Sequence, residues 1–212
     1  MPLPPSSLIL HGGCDCTSIR YNISIPELNS RPVAFKDVTS GEEIHYPHSF
    51  LDHCNRCRRV SGAIIQAWLT VPQDWVEWIQ TPSPDSDRKE STSTISTTDE
   101  FIKFSSGSGL PVTNYASSPG IVRSFCGRCG TNLAFVNVER DMGSDGEIAT
   151  LDIVLGSLDT ESLEREEVRP ERHTYWDSGV GWVKKLVTDG DVSLSGGKAV
   201  PKQLDGDISV VL

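Results

Sequence analysis

The sequence lacks any long hydrophobic run and any excess of positive charge. No apolar stretch is long enough to span a membrane, and residues 1–10 have neither the basic start nor the apolar core of a secretory signal. The 29 acidic and 19 basic residues give a formal charge of −10, which opposes attraction to the phosphates of nucleic acids. We therefore expect a cytoplasmic protein that binds neither membranes nor nucleic acids.

Apolar residues mostly alternate with polar ones, which is typical of half-buried strands. The alternation is clearest between Thr17 and Pro26, where every second residue from Ile19 to Ile25 is apolar. The other strand candidates are residues 63–71, 101–104, 133–138 and 148–155, and residues 111–125 predict two short strands around a Pro119–Gly120 turn. Only residues 158–168 favour a helix. We therefore predict a mainly β protein with little helix.

The chain is long enough to bury one sizeable core, with 212 residues and 37% hydrophobic content. We predict one domain at residues 11–188, preceded by a Pro- and Ser-rich lead-in at residues 1–10. Residues 81–98 are mostly Ser, Thr, Asp and Pro, which predicts a solvated insertion loop. The Gly- and Asp-rich segment 189–212 is expected to be a tail or an edge strand.

The six cysteines fall into three close pairs. In a chain without an export signal, such pairs are more typical of metal sites than of disulfides. Cys14 and Cys16 are two apart, which on a strand places both sulfurs on one face, and Cys126 and Cys129 flank a tight turn in FCGRCG. Two such pairs supply the four thiolates of a structural zinc site, but spacing alone does not decide which two pairs combine.

The remaining pair, Cys54 and Cys57 in DHCNRC, has a carboxylate beside it. In an extended stretch Asp52 faces the same way as Cys54, so it could complete a three-ligand set with both cysteines. Three protein ligands leave the open position that is typical of catalytic zinc. His53 points to the opposite side and is a poorer ligand candidate. In the competing interpretation Asp52 is only a turn residue beside an empty cysteine pair.

The strings GGCDCTSIRY, HCNRCRRVSGA and RSFCGRCGTNLAF, followed by ERHTYW and Trp182, resemble the glutathione-dependent formaldehyde-activating (GFA) enzyme family, which includes the centromere protein V domain. The resemblance covers about residues 11–182. It implies a β-tent fold of stacked antiparallel sheets, with structural zinc. It also implies a carbon–sulfur lyase activity on an adduct of glutathione.

The resemblance assigns the structural zinc to Cys14, Cys16, Cys126 and Cys129, and a second, catalytic zinc to the middle motif. That motif normally reads Cys-His-Cys-x-x-Cys in the family, and here Asp52 takes the first position. A carboxylate donates less electron density than a thiolate, so this zinc should be a stronger Lewis acid. We therefore expect either the family's thiol adduct, with glutathione, or a small acidic or carbonyl metabolite as substrate.

Other polar residues are candidates for contact with such a substrate. Arg58 and Arg59 follow the middle motif and could bind a carboxylate through paired hydrogen bonds, although they could equally be solvated surface residues. Arg123 has the same two interpretations. His45, His48 and His173 are candidates for proton transfer because histidine titrates near neutrality, although a structural role is more typical of a single histidine. Among them, we assign the role to His48.

Two classes of function remain at this stage. The first is a zinc-dependent enzyme for a small molecule. The second is a non-catalytic module in which zinc holds a protein-binding surface together, for which the acidic charge disfavours a chromatin partner. A homodimer is compatible with both classes.

Overall fold

The structure is a computed structural model that describes residues 4–37, 41–82, 93–104, 108–138 and 148–189. Most of the predicted insertion loop and nearly all of the predicted tail therefore lie outside the described residues. The strands are β1 (Leu8–Gly13), β2 (Ile19–Ile25), β3 (Val33–Lys36), β4 (Glu43–His45), β5 (His48–Asp52), β6 (Gln66–Pro72), β7 (Val76–Gln80), β8 (Thr94–Ser96), β9 (Val112–Ser118), β10 (Ile121–Cys126), β11 (Asn132–Asn137), β12 (Thr150–Val154) and β13 (Arg172–Thr174). The α-helices are α1 (Asn55–Ser61), α2 (Thr98–Phe101), α3 (Thr160–Leu163) and α4 (Gly181–Asp189).

The strands form stacked antiparallel sheets, which confirms the mainly β prediction. One sheet has four strands in the order β1-β2-β7-β8, and another has seven in the order β13-β5-β6-β12-β11-β10-β9. Strands β3 and β4 form a separate pair. Neighbouring strands run antiparallel except β13, which is parallel to β5. Apolar side chains of both large sheets belong to one hydrophobic core, because each sheet has one face that alternation makes apolar.

The four-stranded sheet contributes an aromatic group to this core. Tyr21 meets Trp78 edge to face at 5.1 Å between ring centroids, and Trp78 stacks on Phe101 at 3.8 Å. The buried Tyr21 hydroxyl is 2.7 Å from the hydroxyl of Ser157. Gly12 lies against this tyrosine, and a Cβ at position 12 would be 2.3 Å from its oxygen. The β1–β2 pair therefore depends on a residue without a side chain.

Three local predictions need correction. Strand β1 begins at Leu8, so the predicted lead-in is at most seven residues long. The strand expected at residues 101–104 does not form: Phe101 ends α2, which Thr97 and Glu100 start with a capping box, and residues 102–104 are turn and irregular structure. The helix expected at residues 158–168 is limited to α3 and a 3-10 turn at Glu166–Val168. Within the described ranges, no helix has the length and apolar character needed to cross a bilayer.

Candidate metal centres and the adjoining cavity

The first candidate metal centre joins the two large sheets. Cys14 and Cys16 lie in the turn between β1 and β2, and Cys126 and Cys129 lie at the turn between β10 and β11. Gly130 makes this second turn possible, because its φ of +78° is unfavourable for other residues. The four sulfurs all lie within 4.8 Å of one another, as the resemblance implies.

The sulfur distances fit a tetrahedral zinc site. The Cys14 and Cys16 sulfurs are 3.5 Å apart, and those of Cys16 and Cys126 are 3.7 Å apart. A tetrahedron with Zn–S bonds of about 2.3 Å has edges of about 3.8 Å, whereas a disulfide bond is only about 2.05 Å long. All four cysteines are free. The four-cysteine group could therefore hold zinc, and its sulfur distances suit a metal site rather than a disulfide bond.

The four thiols differ in their tendency to ionise. Burial raises the pKa of Cys14 to about 12 and also raises the pKa of Cys126. Burial opposes ionisation of the exposed Cys129 as well, but hydrogen bonds, chiefly from the Thr131 hydroxyl, lower its pKa to about 6. Metal binding must therefore overcome a larger cost of proton loss at Cys14 than at Cys129.

The second candidate metal centre lies where β5 meets α1. Asp52 ends β5, Cys54 directly precedes α1, and Cys57 lies in the first turn of that helix. One carboxylate oxygen and the two sulfurs lie within 4.8 Å of one another. The backbone is extended up to Cys54, as expected, but Cys57 reaches the group because the chain turns into a helix rather than continuing as a strand.

Hydrogen bonds hold the Asp52 carboxylate in place. Asp52 is 4% exposed; its Oδ1 accepts from the Cys54 N–H at 2.8 Å, and its Oδ2 accepts from the Trp68 indole at 3.1 Å. Each carboxylate oxygen has two lone pairs, so one on each oxygen remains for a metal. The first bond also makes Asp52 a turn residue at the start of α1. The side chain thus makes a bond typical of a turn residue and still has lone pairs for a metal, so the geometry is compatible with either interpretation of Asp52. The indole sets the orientation of the carboxylate.

Arg123 supplies positive charge next to this centre. It is 4% exposed, and its Nη2 donates to the Cys57 sulfur at 3.5 Å while its guanidinium lies over Phe135 at 4.8 Å. Burial raises the pKa of Cys57 to about 12, although the bond from Arg123 opposes the rise. One carboxylate and two thiolates around a divalent cation leave one negative charge, which Arg123 would balance. The residues present therefore fit a zinc ion.

The second centre opens into a cavity of about 940 Å³, to which all three of its residues contribute. The volume is at the upper end of the range typical of small-molecule sites. The aromatic residues of its wall are Phe35, Tyr46, Phe50, Trp68, Phe135 and Tyr175. Its charged residues, besides the cysteines, are Asp52, Arg56, Arg123, Asp152 and Arg172. The cavity of this acidic protein thus carries more arginine than aspartate.

His48 also lines the cavity, but far from the second centre. It lies four residues before Asp52 on β5, which corresponds to about 13 Å between Cα atoms. Burial, with a smaller effect of Arg172, lowers the pKa of His48 to about 4. The imidazole is therefore neutral at pH 7 and out of direct reach of a group held at Asp52, which disfavours the proton-transfer role assigned to it.

Of the three arginines expected to contact substrate, Arg123 lines the cavity but Arg58 and Arg59 do not. Arg58 and Arg59 are absent from the cavity wall in the described part of the chain, and Arg58 instead donates to Asn55 at 3.4 Å. Because successive residues of a helix are rotated by about 100°, α1 turns Arg56 and Cys57 toward the cavity and the next two residues away. This correction follows from the helix, which the extended interpretation of the motif did not include.

Two histidines pack together on the other side of β5. His53 Nε2 lies 3.0 Å from His173 Nδ1, and both rings contact Trp176 edge to face at 5.0 and 4.9 Å. His53 thus faces away from Asp52 and Cys54, as the strand alternation predicts. Neither histidine lines the cavity among the described residues.

Comparison with protein-family models and with curated proteins found no match. The resemblance to the GFA family therefore stays a prediction based on the three cysteine motifs.

Proposed function

We propose that the protein is a zinc-dependent enzyme of the GFA type that acts on a small molecule in the cavity. The observation that carries this proposal is the position of Asp52, Cys54 and Cys57, a set of three metal-ligand types at the wall of a cavity of about 940 Å³. A purely structural zinc would need a closed set of four ligands. The four-cysteine group supplies such a set elsewhere in the chain.

The family assignment and the β-tent fold are part of the proposal. Stacked antiparallel sheets with a shared core, and the convergence of Cys14 and Cys16 with Cys126 and Cys129, support both. They agree with the motif order that suggested the family. The fold would then provide the rigid base on which the second centre faces the cavity.

A zinc ion at the second centre would act as a Lewis acid toward an oxygen or sulfur atom of the substrate. The chain's own residues orient and surround that atom. Trp68 and the Cys54 N–H fix the Asp52 carboxylate, and Arg123 places a positive charge beside Cys57. Aromatic side chains, among them Trp68 and Phe135, form part of the wall around this end of the cavity.

The substrate we propose is a small thiol adduct or a small acidic or carbonyl metabolite. The family's carbon–sulfur lyase activity is the first alternative, with glutathione as the thiol. The substitution of a thiolate by Asp52, together with the arginines of the cavity, favours the second. Both alternatives place an oxygen or sulfur atom of a small molecule next to the second centre.

Metal analysis of purified protein tests the proposal. We expect about two zinc ions per chain, one of which a mild chelator removes because its site is open. Asp52→Ala should reduce the content to about one ion while the chain still melts cooperatively, whereas Cys126→Ser should abolish folding. Asp74→Ala, which removes an exposed carboxylate on another turn, is the matched control and should retain both ions.

Two results would contradict the proposal. Unchanged zinc content in Asp52→Ala would show that this carboxylate holds no metal. A single ion that resists the chelator in the unaltered protein would instead favour the zinc-stabilised binding module.

A further inference from the structure

We infer that Arg172 forms an anion subsite in the cavity and that the molecule bound there is a small aromatic carboxylate. Its acid group would pair with Arg172, and its ring would extend along β5 toward Asp52. The inference deepens the proposed function and rests on it only in placing the other end of the ligand next to a zinc ion at the second centre. The subsite itself depends on the chain's own residues.

Strand pairing sets the position of Arg172. In the parallel β13–β5 pair, Arg172 lies beside Phe50 and Thr174 lies beside Asp52. Two residues of strand separate these levels, which is about 7 Å. Both Arg172 and Thr174 line the cavity together with Asp52. The span from the second centre to Arg172 therefore matches one aromatic ring that carries a carboxylate.

The positive charge of Arg172 has no counter-ion in the described part of the chain. Its guanidinium lies over the Phe35 ring at 4.7 Å, and the ion pairs formed by described residues do not include it. Its Nε is buried and has no hydrogen-bond partner among those residues. A partly enclosed charge without a partner is unfavourable, so an anion that enters the cavity would be stabilised there.

Two further polar atoms beside Arg172 also lack partners among the described residues. They are Nδ1 of His48 and Oγ1 of Thr174, both buried and both on side chains of the cavity wall. Arg123, in contrast, already donates to Cys57 and Ser117. A buried polar atom without a partner in a folded protein calls for an explanation, and a molecule bound at Arg172 would supply one for both atoms.

The walls between Arg172 and the second centre favour a flat apolar body. Phe50 lies between His48 and Asp52 on the same face of β5, and Phe35, Tyr46 and Trp68 line the same cavity. Aromatic side chains bind planar rings through stacking and edge contacts. The combination of an unpaired arginine with aromatic walls points to an aromatic acid rather than to an aliphatic phosphate.

Calorimetric titration with benzoate tests the inference directly. We expect the zinc-loaded protein to bind benzoate and to bind the uncharged isostere benzamide roughly ten- to a hundredfold more weakly. Arg172→Gln should weaken benzoate binding by a similar factor and leave benzamide binding unchanged. Arg58→Gln, which removes an arginine outside the cavity, is the matched control and should bind both compounds as the unaltered protein does.

Some readouts need no variant at Arg172. Added salt should weaken benzoate binding and not benzamide binding, and benzoate should shift the NMR signals of the His48 ring. Equal binding of the two compounds to the unaltered protein, or no benzoate binding at millimolar concentration, would overturn the inference, as would full benzoate affinity in folded Arg172→Gln.

The same titration separates this inference from the proposed function. Asp52→Ala should keep most of its benzoate affinity, because Arg172 does not depend on the metal. If Asp52→Ala retained its zinc and Arg172→Gln still lost benzoate, the enzyme proposal would fail and the subsite would stand. If Asp52→Ala lost zinc and Arg172→Gln bound benzoate normally, the subsite would be wrong and the enzyme proposal would stand.

Discussion

Acid sensitivity offers a quantitative test of how His48 is buried. The imidazole packs against Phe35, Tyr46 and Phe50 at 5.2 to 5.9 Å between ring centroids. Burial, followed by the charge of Arg172, lowers its pKa from 6.5 to about 4. Between these two values the unfolded chain binds a proton that the folded protein does not. Folding stability should therefore fall as the pH falls from 6.5 to 4 and receive no further loss from His48 below that range.

The size of the effect follows from the two pKa values. Between pH 7.5 and pH 4.5, His48 should cost about 2.5 kcal/mol of unfolding free energy. His48→Phe keeps an aromatic ring but cannot take up a proton, so its stability should fall by about that much less over the same interval. Denaturant titration of both proteins at several pH values measures the difference, because the contributions of all other groups cancel in the comparison.

The result that would refute this reasoning is an identical acid dependence in both proteins. An NMR titration of the histidine ring protons gives an independent measurement, and a His48 pKa near 6.5 would show that the side chain is solvated. Either outcome would also show that the aromatic residues around His48 do not shield this part of the cavity wall from solvent.

Two further predictions concern the core and the second centre. Gly12→Ala should lower the unfolding free energy by about 1–3 kcal/mol in denaturant titration, because the new methyl group would overlap the buried Tyr21 ring; Gly156→Ala, where a Cβ meets nothing within 4 Å, should change it by less than about 0.5 kcal/mol. Arg123→Met should weaken zinc binding at the second centre by about tenfold or more in competition with a chromophoric chelator, because Cys57 loses its charged donor. Unchanged affinity would show that this arginine does not support the metal.

Local sequence patterns predicted the structure correctly where the interacting residues are close together in the sequence. The alternation in β2 predicted a strand with buried Ile19, Tyr21 and Ile23, and the FCGRCG turn predicted two sulfurs close together. The start of α2 was also readable, since Thr97 and Glu100 have capping-box spacing. The strand prediction for residues 101–104 was based on their apolar side chains alone.

Features that depend on pairing between strands far apart in the sequence could not be predicted from local patterns. Strand β13 has only three residues, too few to show a period, and its partner β5 lies about 120 positions earlier in the chain. The role of Arg172 as a cavity residue follows from this pairing alone. Helix α1 is short as well, and its turn places Arg56 at the cavity wall but not the predicted Arg58 and Arg59.

The wide separation of the two halves of the four-cysteine group has a consequence for biosynthesis. Cys16 precedes Cys126 by 110 residues, so at roughly 5–20 residues per second a ribosome needs about 5–20 s to make the second half after the first. During that interval the leading hairpin presents two reduced sulfurs to the surrounding solution. Metal delivery can therefore complete this centre only late in translation, and oxidants have access to half of it before then.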